Sequence, residues 1–160
     1  MSHDPPLPEV FRSEFEALEE HRYSRPGTAY ENCFGCGPEH PIGLRVRCFK
    51  TPEGVVSPVI IPARFAGPPG AAHGGIVGGY LDEVLAGAAV LHSGRIYMTG
   101  ELTVRYVRPV PVETPLLGKA WVVHDYGRYV DLEGTLEDYR SHAILATARG
   151  RFLPMRADAA

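Results

Sequence analysis

The sequence predicts an α+β domain in which an antiparallel β-sheet packs on one long central helix, with an extra helix near the N-terminus. One long segment, residues 75–91, has helical character, whereas the two segments before it and the four after it look like strands. Glycine contributes 18 and proline 15 of the 160 residues, which is typical of a chain with many turns. The hydrophobic content of 44% is that of a globular protein with a core.

The N-terminal part predicts a short surface helix over residues 8–22, preceded by a loose tail over residues 1–7. Four apolar residues recur there at helical spacing among acidic ones: Val10, Phe11, Phe15 and Leu18. We expect residues 1–30 to hold the tail and this helix, and residues 31–155 to form the main domain.

Strands are expected on both sides of the central helix. Residues 44–49 alternate apolar and polar side chains, and residues 55–61 form a second strand after a turn at Glu53-Gly54. The strands that follow the helix, joined mostly by hairpins, are predicted at about residues 95–107, 116–126, 129–137 and 143–153.

Composition excludes several classes of function. The net charge is −3 and the basic residues do not cluster, so neither nucleic-acid binding nor a membrane-surface patch is expected. Three cysteines are too few for a secreted disulfide framework. The N-terminal segment MSHDPPLPEVF lacks the features of a signal peptide, and no run approaches the roughly 20 apolar residues of a membrane span. We therefore expect a cytoplasmic protein.

The central helix has two different faces. The face expected against the sheet carries Ile76, Val77, Tyr80, Leu81, Val84, Leu85, Ala88 and Leu91. The opposite face carries small residues and very little charge: Gly78, Gly79, Asp82, Ala86 and Ala89, with Glu83 at the border. Since glycine inside a helix costs about 1 kcal/mol relative to alanine, this face predicts the close approach of a partner subunit.

Asp82 lies on that small-residue face. A carboxylate in an apolar place is costly, and its pKa should rise, which makes it a candidate base or nucleophile. An aspartate that braces an interface through a hydrogen bond or an ion pair fits the same pattern, and spacing alone does not separate the two.

His73, Gly74 and Gly75 mark the start of the helix. Glycines there leave backbone N–H groups uncovered, and the helix dipole adds about half a positive charge, so this end can hold an anion or an oxyanion. A sharp loop-to-helix turn capped by His73 is the simpler interpretation. The segment has no nucleotide-binding glycine motif.

Distance separates these two features within one chain. Asp82 lies about 12 Å along the helix axis from Gly74, at 1.5 Å per residue. It can therefore serve only the start of a second helix that runs the opposite way across a two-fold axis. The sequence predicts two composite sites per dimer.

Several segments resemble a known family. HGGIVGGYLDEVLAG, followed by MTGELTVRYVRPVPVETPL, resembles the hotdog-fold thioesterases of the phenylacetate-pathway (PaaI-like) type. CFGCGPEHPIGLRV and FAGPPGAAHGG are similar to the thioesterase-superfamily-member branch of that group. The resemblance extends from Cys33 to Pro154. It implies a long helix wrapped by an antiparallel sheet, and a dimer in which the two sheets join.

The resemblance also implies an activity, hydrolysis of acyl-CoA to a carboxylic acid and CoA. The backbone N–H groups of His73, Gly74 and Gly75 would polarise the thioester carbonyl, and Asp82 of the other subunit would act as base or nucleophile. Thr99 would help to place water. The sequence departs from the family in two features, the residue at position 67 and the orientation of Thr99. Gly67 stands where some relatives have an asparagine. Strand alternation also turns Thr99 away from the helix unless a bulge lies at Gly100.

We expect acyl-CoA to be the substrate, without a metal or other cofactor, and the assembly to be a homodimer or a dimer of such dimers. Arg105 and Arg108 are candidate contacts for the CoA phosphates. The alternatives are an enoyl-thioester hydratase of the same fold, a non-catalytic acyl-CoA or lipid-binding protein, and a zinc-dependent interaction module.

Cys33 and Cys36 form one CxxC pair. A closed zinc site needs about four ligands, for which Cys48 and His40 are the remaining candidates. We favour a glycine-rich turn with buried thiols, because nothing in the sequence fixes the approach of those two residues. A redox role is not expected either, because the thioredoxin-like setting is absent.

Overall fold

The computed structural model describes residues 5–22 and 27–156. Residues 1–4 of the tail predicted over residues 1–7 lie outside the described residues. The helices are α1 (Glu9–Phe15) and α2 (Gly74–Ser93), with a 3₁₀ turn at Ala63–Phe65. The strands are β1 (Glu20–His21), β2 (Cys48–Lys50), β3 (Val55–Ile60), β4 (Tyr97–Tyr106), β5 (Pro115–Asp125), β6 (Val130–Asp138) and β7 (Ile144–Pro154).

The strands form one antiparallel sheet in the order β1-β2-β3-β5-β6-β7-β4. α2 lies in the concave face of this sheet and contacts every strand from β2 to β7. The predicted fold class, a hotdog fold with an extra N-terminal helix, is confirmed.

Glycines let α2 approach the sheet closely. A Cβ atom built on Gly134 of β6 would lie 2.6 Å from the side chain of Leu85, and one on Gly150 of β7 would lie 2.9 Å from it. Leu85 therefore occupies a hollow in two neighbouring strands, and it is fully buried.

One connection differs from the expected run of hairpins. β4 pairs with β7 at the far edge of the sheet, whereas β5 pairs with β3 and β6. The segment between β4 and β5 passes the start of α2, where Ala72 N–H donates to Val110 O (2.8 Å), and the end of β3, where Glu113 N–H donates to Ile61 O (2.8 Å). This return path holds the start of α2 in place.

The strand predicted at residues 44–49 is shorter than expected. Leu44, Val46 and Cys48 are buried as predicted, but the regular strand begins only at Cys48. Arg45 has a φ of 54°, which interrupts extended backbone.

α2 is 20 residues long and apolar enough to span a membrane, judged by length and composition alone. No apolar run of that length was expected from the sequence. Its apolar side chains lie against the sheet, where Leu81 and Leu85 are both 0% exposed. This packing accounts for the composition of the helix.

The predicted N-terminal helix is also shorter than expected, because α1 ends at Phe15 and the chain then extends into β1. α1 covers the outer face of the sheet. Phe11 and Phe15 are buried there, and the Phe15 ring contacts the Phe49 ring edge-to-face at 5.1 Å between centroids. The N-terminal segment thus contributes a second, smaller apolar cluster to the domain.

Phe15→Ala tests this contribution. Because the side chain is fully buried, we expect a loss of about 3–5 kcal/mol in the free energy of unfolding, measured by urea denaturation. Glu16→Ala, at an exposed neighbouring position, should change it by less than about 0.5 kcal/mol. Equal stability of the two variants would mean that α1 is not part of the cooperative unit.

Candidate active site

Asp82 and Thr99 meet between α2 and β4. Thr99 Oγ1 donates a hydrogen bond to Asp82 Oδ1 at 2.6 Å. Asp82 lies on the face of α2 that the sequence assigned to small residues. The structure therefore brings together the predicted acid and the predicted strand threonine.

A β-bulge produces this contact. The pairing of β4 with β7 shifts register between Thr99 and Glu101, so Gly100 is an extra residue in the strand. Leu102 and Val104 face α2, and regular alternation would turn Thr99 to the other side of the sheet. The extra residue at Gly100 turns Thr99 back toward the helix.

Burial raises the pKa of Asp82 above its usual value, because the apolar surroundings disfavour the charged carboxylate. The hydrogen bond from Thr99 opposes this by stabilising the ionised form, but desolvation is the larger effect. The pair therefore provides an oriented carboxylate whose proton affinity is above that of an aspartate in water.

His73 caps the start of α2. Its Nδ1 accepts a hydrogen bond from Gly75 N–H at 3.0 Å, so the ring carries its proton on Nε2 when it is neutral. The N–H of Gly75, which was expected to donate to an oxyanion, is thus already bound to the imidazole ring of His73. Gly74 N–H makes no hydrogen bond within residues 5–22 and 27–156 and remains available.

Tyr106 is a site residue to which the sequence analysis gave no role. Its hydroxyl donates to Gly74 O at 2.6 Å, and Cβ atoms built on Gly74 and Gly78 would lie 3.6 Å and 3.7 Å from its ring and hydroxyl. Strand alternation places Tyr106 on the same face as Leu102 and Val104. This alternation is the feature of the sequence from which its position near α2 could have been predicted. Tyr106 ties the end of β4 to the first turn of α2.

These residues line an open groove beside α2. Its lining is mostly glycine and apolar side chains, with Asp82, Thr99 and the Tyr106 hydroxyl as its polar groups: Gly75, Gly78, Gly79, Asp82, Thr99, Leu102, Val104 and Tyr106. A helix or a narrow substrate can approach the backbone closely where side chains are absent.

Only part of the small-residue face of α2 is open. Ala89 is fully buried within the chain itself, and Gly79 lies against Leu44, whose side chain would be 3.2 Å from a Cβ at that position. The Glu83 and Gly87 side of the helix packs on the chain's own N-terminal half. The surface expected to face a partner is thus narrower than the sequence indicated.

Glu83 points to a different place from Asp82. Its carboxylate lies with the thiols of Cys33 and Cys36, all three donor atoms within 4.8 Å of one another. Glu83 is therefore not an alternative base in the groove. His40, a candidate partner of these cysteines, instead accepts a hydrogen bond from Ile42 N–H through its Nδ1 (3.2 Å).

The two thiols of the CxxC pair interact. The hydrogen bond with the Cys36 side chain, together with the backbone around Gly35–Gly37, lowers the pKa of Cys33 to about 5, against the opposing effect of burial. Cys48 is fully inside the core, and burial raises its pKa. The thiols of Cys33 and Cys48 therefore differ in chemistry, because the pKa of Cys33 is lowered and that of Cys48 is raised.

The arginines expected to contact CoA lie outside the groove. Arg105 and Arg108 are exposed, at the end of β4 and in the turn after it. Tyr80 and Leu81 are buried in the core, as core packing requires. Gly67 lies beside the helix start, where an added Cβ would be 3.1 Å from His73 Cα.

Comparison with known proteins agrees with the fold. The family model of the thioesterase superfamily matches residues 69–140, which include α2 and its first turn. This match covers 72 of the 160 residues, so the chain is similar to the thioesterase superfamily over its central part and has the hotdog fold. No curated protein sequence matches.

Solved structures give the same result. A thioesterase superfamily protein is 28% identical over 77% of this chain, with a TM-score of 0.69, and the match covers 60% of that protein's length. A Bacillus halodurans protein solved with CoA is 25% identical, over 62% of this chain and 70% of its own, with a TM-score of 0.56. The E. coli PaaI protein from the phenylacetic acid degradation operon, 19% identical over 69% of this chain and 83% of its own, has a TM-score of 0.61 and shares the fold.

The cap on α2 gives a prediction about stability. His73→Ala removes the acceptor for Gly75 N–H, so we expect the free energy of unfolding to fall by about 1 kcal/mol in urea denaturation. His73→Asn should retain most of the wild-type value, since asparagine is a strong N-cap residue. If both variants have the same free energy of unfolding as the wild type, the hydrogen bond from Gly75 to His73 does not contribute to stability.

Proposed function

We propose that this protein is an acyl-CoA thioesterase, which hydrolyses an acyl-CoA to a carboxylic acid and free CoA. The observation that carries the proposal is the Asp82–Thr99 pair, a desolvated carboxylate held by a hydroxyl in a glycine-lined groove. The similarity of residues 69–140 to the thioesterase superfamily supports the reaction class.

Asp82 acts on the carbonyl carbon of the thioester in one of two ways. As a base, it takes a proton from water while the water oxygen bonds to the carbonyl carbon. The C–S bond then breaks, and the CoA thiolate receives that proton. As a nucleophile, its oxygen bonds to that carbon and expels the thiolate, leaving an anhydride that water hydrolyses. Thr99 orients the carboxylate in both cases.

The carbonyl oxygen accepts a hydrogen bond at the start of a helix, where the dipole favours the developing negative charge. Gly74 N–H is the available donor, and Gly75 N–H becomes a second one when the carbonyl oxygen replaces His73 Nδ1. His73 thus keeps the second amide satisfied until the substrate arrives.

The active assembly is a homodimer, because one chain does not complete the site. Asp82 is about 12 Å from the start of its own helix at 1.5 Å per residue. A partner subunit whose α2 runs in the opposite direction brings its Gly74 to this Asp82. The open groove and the outer edge of β4, the last strand of the sheet among the described residues, are the surfaces on which that subunit packs.

CoA binds outside the groove, with Arg105 and Arg108 near its phosphates. Both arginines are exposed and follow the groove residues Leu102 and Val104 along the chain. Guanidinium groups suit phosphate oxygens. One similar structure contains CoA, which supports this class of ligand.

Asp82→Asn tests the acid. We expect free-thiol release from a panel of acyl-CoA substrates to fall by at least about 100-fold, because the amide neither takes a proton nor attacks. The fold should be kept: the raised pKa of Asp82 means that ionisation opposes folding as the pH rises through that pKa, and asparagine has no charge to ionise.

The controls for this variant are its size in light scattering, which should match that of the wild type, and its urea denaturation, which should show a free energy of unfolding at least equal to that of the wild type. Near-wild-type turnover would remove Asp82 from the mechanism. Tight binding of acyl-CoA by the wild type without thiol release would instead assign the protein to the non-catalytic binders.

Thr99→Val tests the hydroxyl through the pH dependence. Thr99 lowers the pKa of Asp82 by donating to the carboxylate. Its removal should therefore move the acidic limb of the profile of kcat/KM against pH to higher pH. Thr99→Ser keeps a donor and should leave the limb near its wild-type position. An unmoved limb in Thr99→Val would mean that the group titrating there is not Asp82.

A further inference from the structure

A second cluster of reactive side chains lies on the other side of α2. The thiols of Cys33 and Cys36 and the carboxylate of Glu83 have their donor atoms within 4.8 Å of one another. Cys36 is 8% exposed, whereas Cys33 and Glu83 are partly exposed. The cluster comes from distant parts of the sequence, a loop near the N-terminal end and the middle of the central helix.

The loop is built to hold its two thiols against the helix. Gly37 N–H donates to Cys33 O (2.8 Å), which closes the turn, and Val46 N–H donates to Gly35 O (2.8 Å). A Cβ atom on Gly35 would collide with the carboxylate of Glu83. Because glycine has no side chain, Gly35 leaves room for the carboxylate of Glu83 to contact the CxxC turn.

His21 provides an independent observation. It is the Cα partner of Cys48 in the β1–β2 pair, so both side chains lie on the same face of the sheet. Its Nε2 is buried and makes no hydrogen bond to any residue that the structure describes. It lines a small cavity together with Cys36 and Glu83. An unpaired buried nitrogen that lines the same cavity as a thiol and a carboxylate indicates a site for a further group.

We propose that Cys33, Cys36 and Glu83 bind a structural Zn²⁺ ion, with His21 Nε2 as the fourth ligand. This departs from the expectation of a metal-free turn. Two sulfur ligands exclude Mg²⁺ and Ca²⁺, which take oxygen ligands, and a closed set of sulfur, oxygen and nitrogen donors suits Zn²⁺.

The donor spacing fits with a small adjustment. A tetrahedral ion with Zn–S bonds of about 2.3 Å separates two sulfur ligands by roughly 3.8 Å. The present spacing of up to 4.8 Å requires an approach of about one ångström. His21 lies farther out, beyond the three-residue group, and reaches the ion by turning into the cavity it shares with Cys36 and Glu83.

The ion would fix one wall of the groove. Glu83 follows Asp82 in α2, and Leu44, at the end of the loop that carries the thiols, lies against Gly79 of the groove. Metal binding on one side of the helix therefore holds the loop that borders the candidate active site on the other.

The experiment measures zinc and cobalt binding by the full chain. The purified protein should bind Zn²⁺ in stoichiometric amounts by elemental analysis. After removal of zinc with a chelator, Co²⁺ should give the visible spectrum of a tetrahedral ion and a thiolate-to-cobalt charge-transfer band. Cys33→Ser, Cys36→Ser and Glu83→Gln should each weaken binding by at least about 100-fold, since even outer-shell changes cost 10–100-fold. His21→Gln should weaken it by about 10-fold or more.

Cys48→Ser is the matched control. Cys48 lines the same cavity but lies against Gly87, where an added Cβ would be 2.6 Å from its Sγ, and it belongs to the core rather than to the ligand set. This variant should bind cobalt like the wild type. Cobalt spectra without the charge-transfer band, or spectra that survive both Cys33→Ser and Cys36→Ser, would overturn the proposal.

A measurement on the unchanged chain avoids variants that fail to fold. Zinc should slow the alkylation of Cys33 and Cys36 by iodoacetamide at least about 10-fold, since the thiolates are then metal ligands. Peptide mass spectrometry reports each cysteine separately. Equal alkylation of Cys33 and Cys36 with and without zinc would contradict the site.

Discussion

The structure depends on burying one apolar helix inside a curved sheet. α2 has too few polar residues to face water, and the sheet accepts it because Gly134 and Gly150 leave a hollow for Leu85. The part of the helix surface that does not contact the sheet has two sides with different surroundings. One side packs on the loop of the CxxC pair, and the other remains an open strip of glycines. The positions of both candidate sites follow from this division.

The burial of α2 also changes the properties of Asp82, because it raises the pKa of the carboxyl group. A carboxylate on a mostly apolar helix loses hydration, and among the described residues the hydrogen bond from Thr99 offsets part of that loss. More hydrogen bonds would stabilise the ionised form further and make it a weaker base. With Thr99 as donor, the carboxylate is oriented while its pKa remains raised, a combination that suits the proposed role of general base or nucleophile.

The sequence predicted the parts of the molecule that depend on periodicity and local motifs. The long helix, the antiparallel strands and the residues that face the core follow from spacing. A bulge at Gly100 entered the sequence analysis only as the condition for Thr99 to face the helix, and the register shift found there meets that condition. The pairing of β4 with β7 was not predictable, because strand order depends on where the segment after β4 docks, near Val110 and Glu113.

The same limit explains the missed neighbours within the sites. The hydroxyl of Tyr106 on Gly74 and the carboxylate of Glu83 beside Cys33 are contacts between elements distant in the sequence. Periodicity predicts on which face of its own helix or strand a side chain lies. It does not predict which residues of the neighbouring helix, strand or loop that side chain contacts. The end of α1 at Phe15 is a similar case, since edge pairing of β1 outweighs the helical spacing of the preceding residues.

The start of α2 links these observations to the proposed reaction. An oxyanion site requires uncovered amides, yet an uncovered amide pair at a helix start is itself costly. His73 resolves this conflict by accepting from Gly75, while the hydroxyl of Tyr106 holds the carbonyl of Gly74 and so fixes the orientation of the adjoining peptide units. A substrate oxygen then competes with an imidazole nitrogen rather than with bulk water for the second amide. The free energy of binding is thus reduced by the value of one hydrogen bond, about 1 kcal/mol. In return, the geometry of the amides is set before the substrate arrives, which is the condition for electrostatic stabilisation of a developing charge.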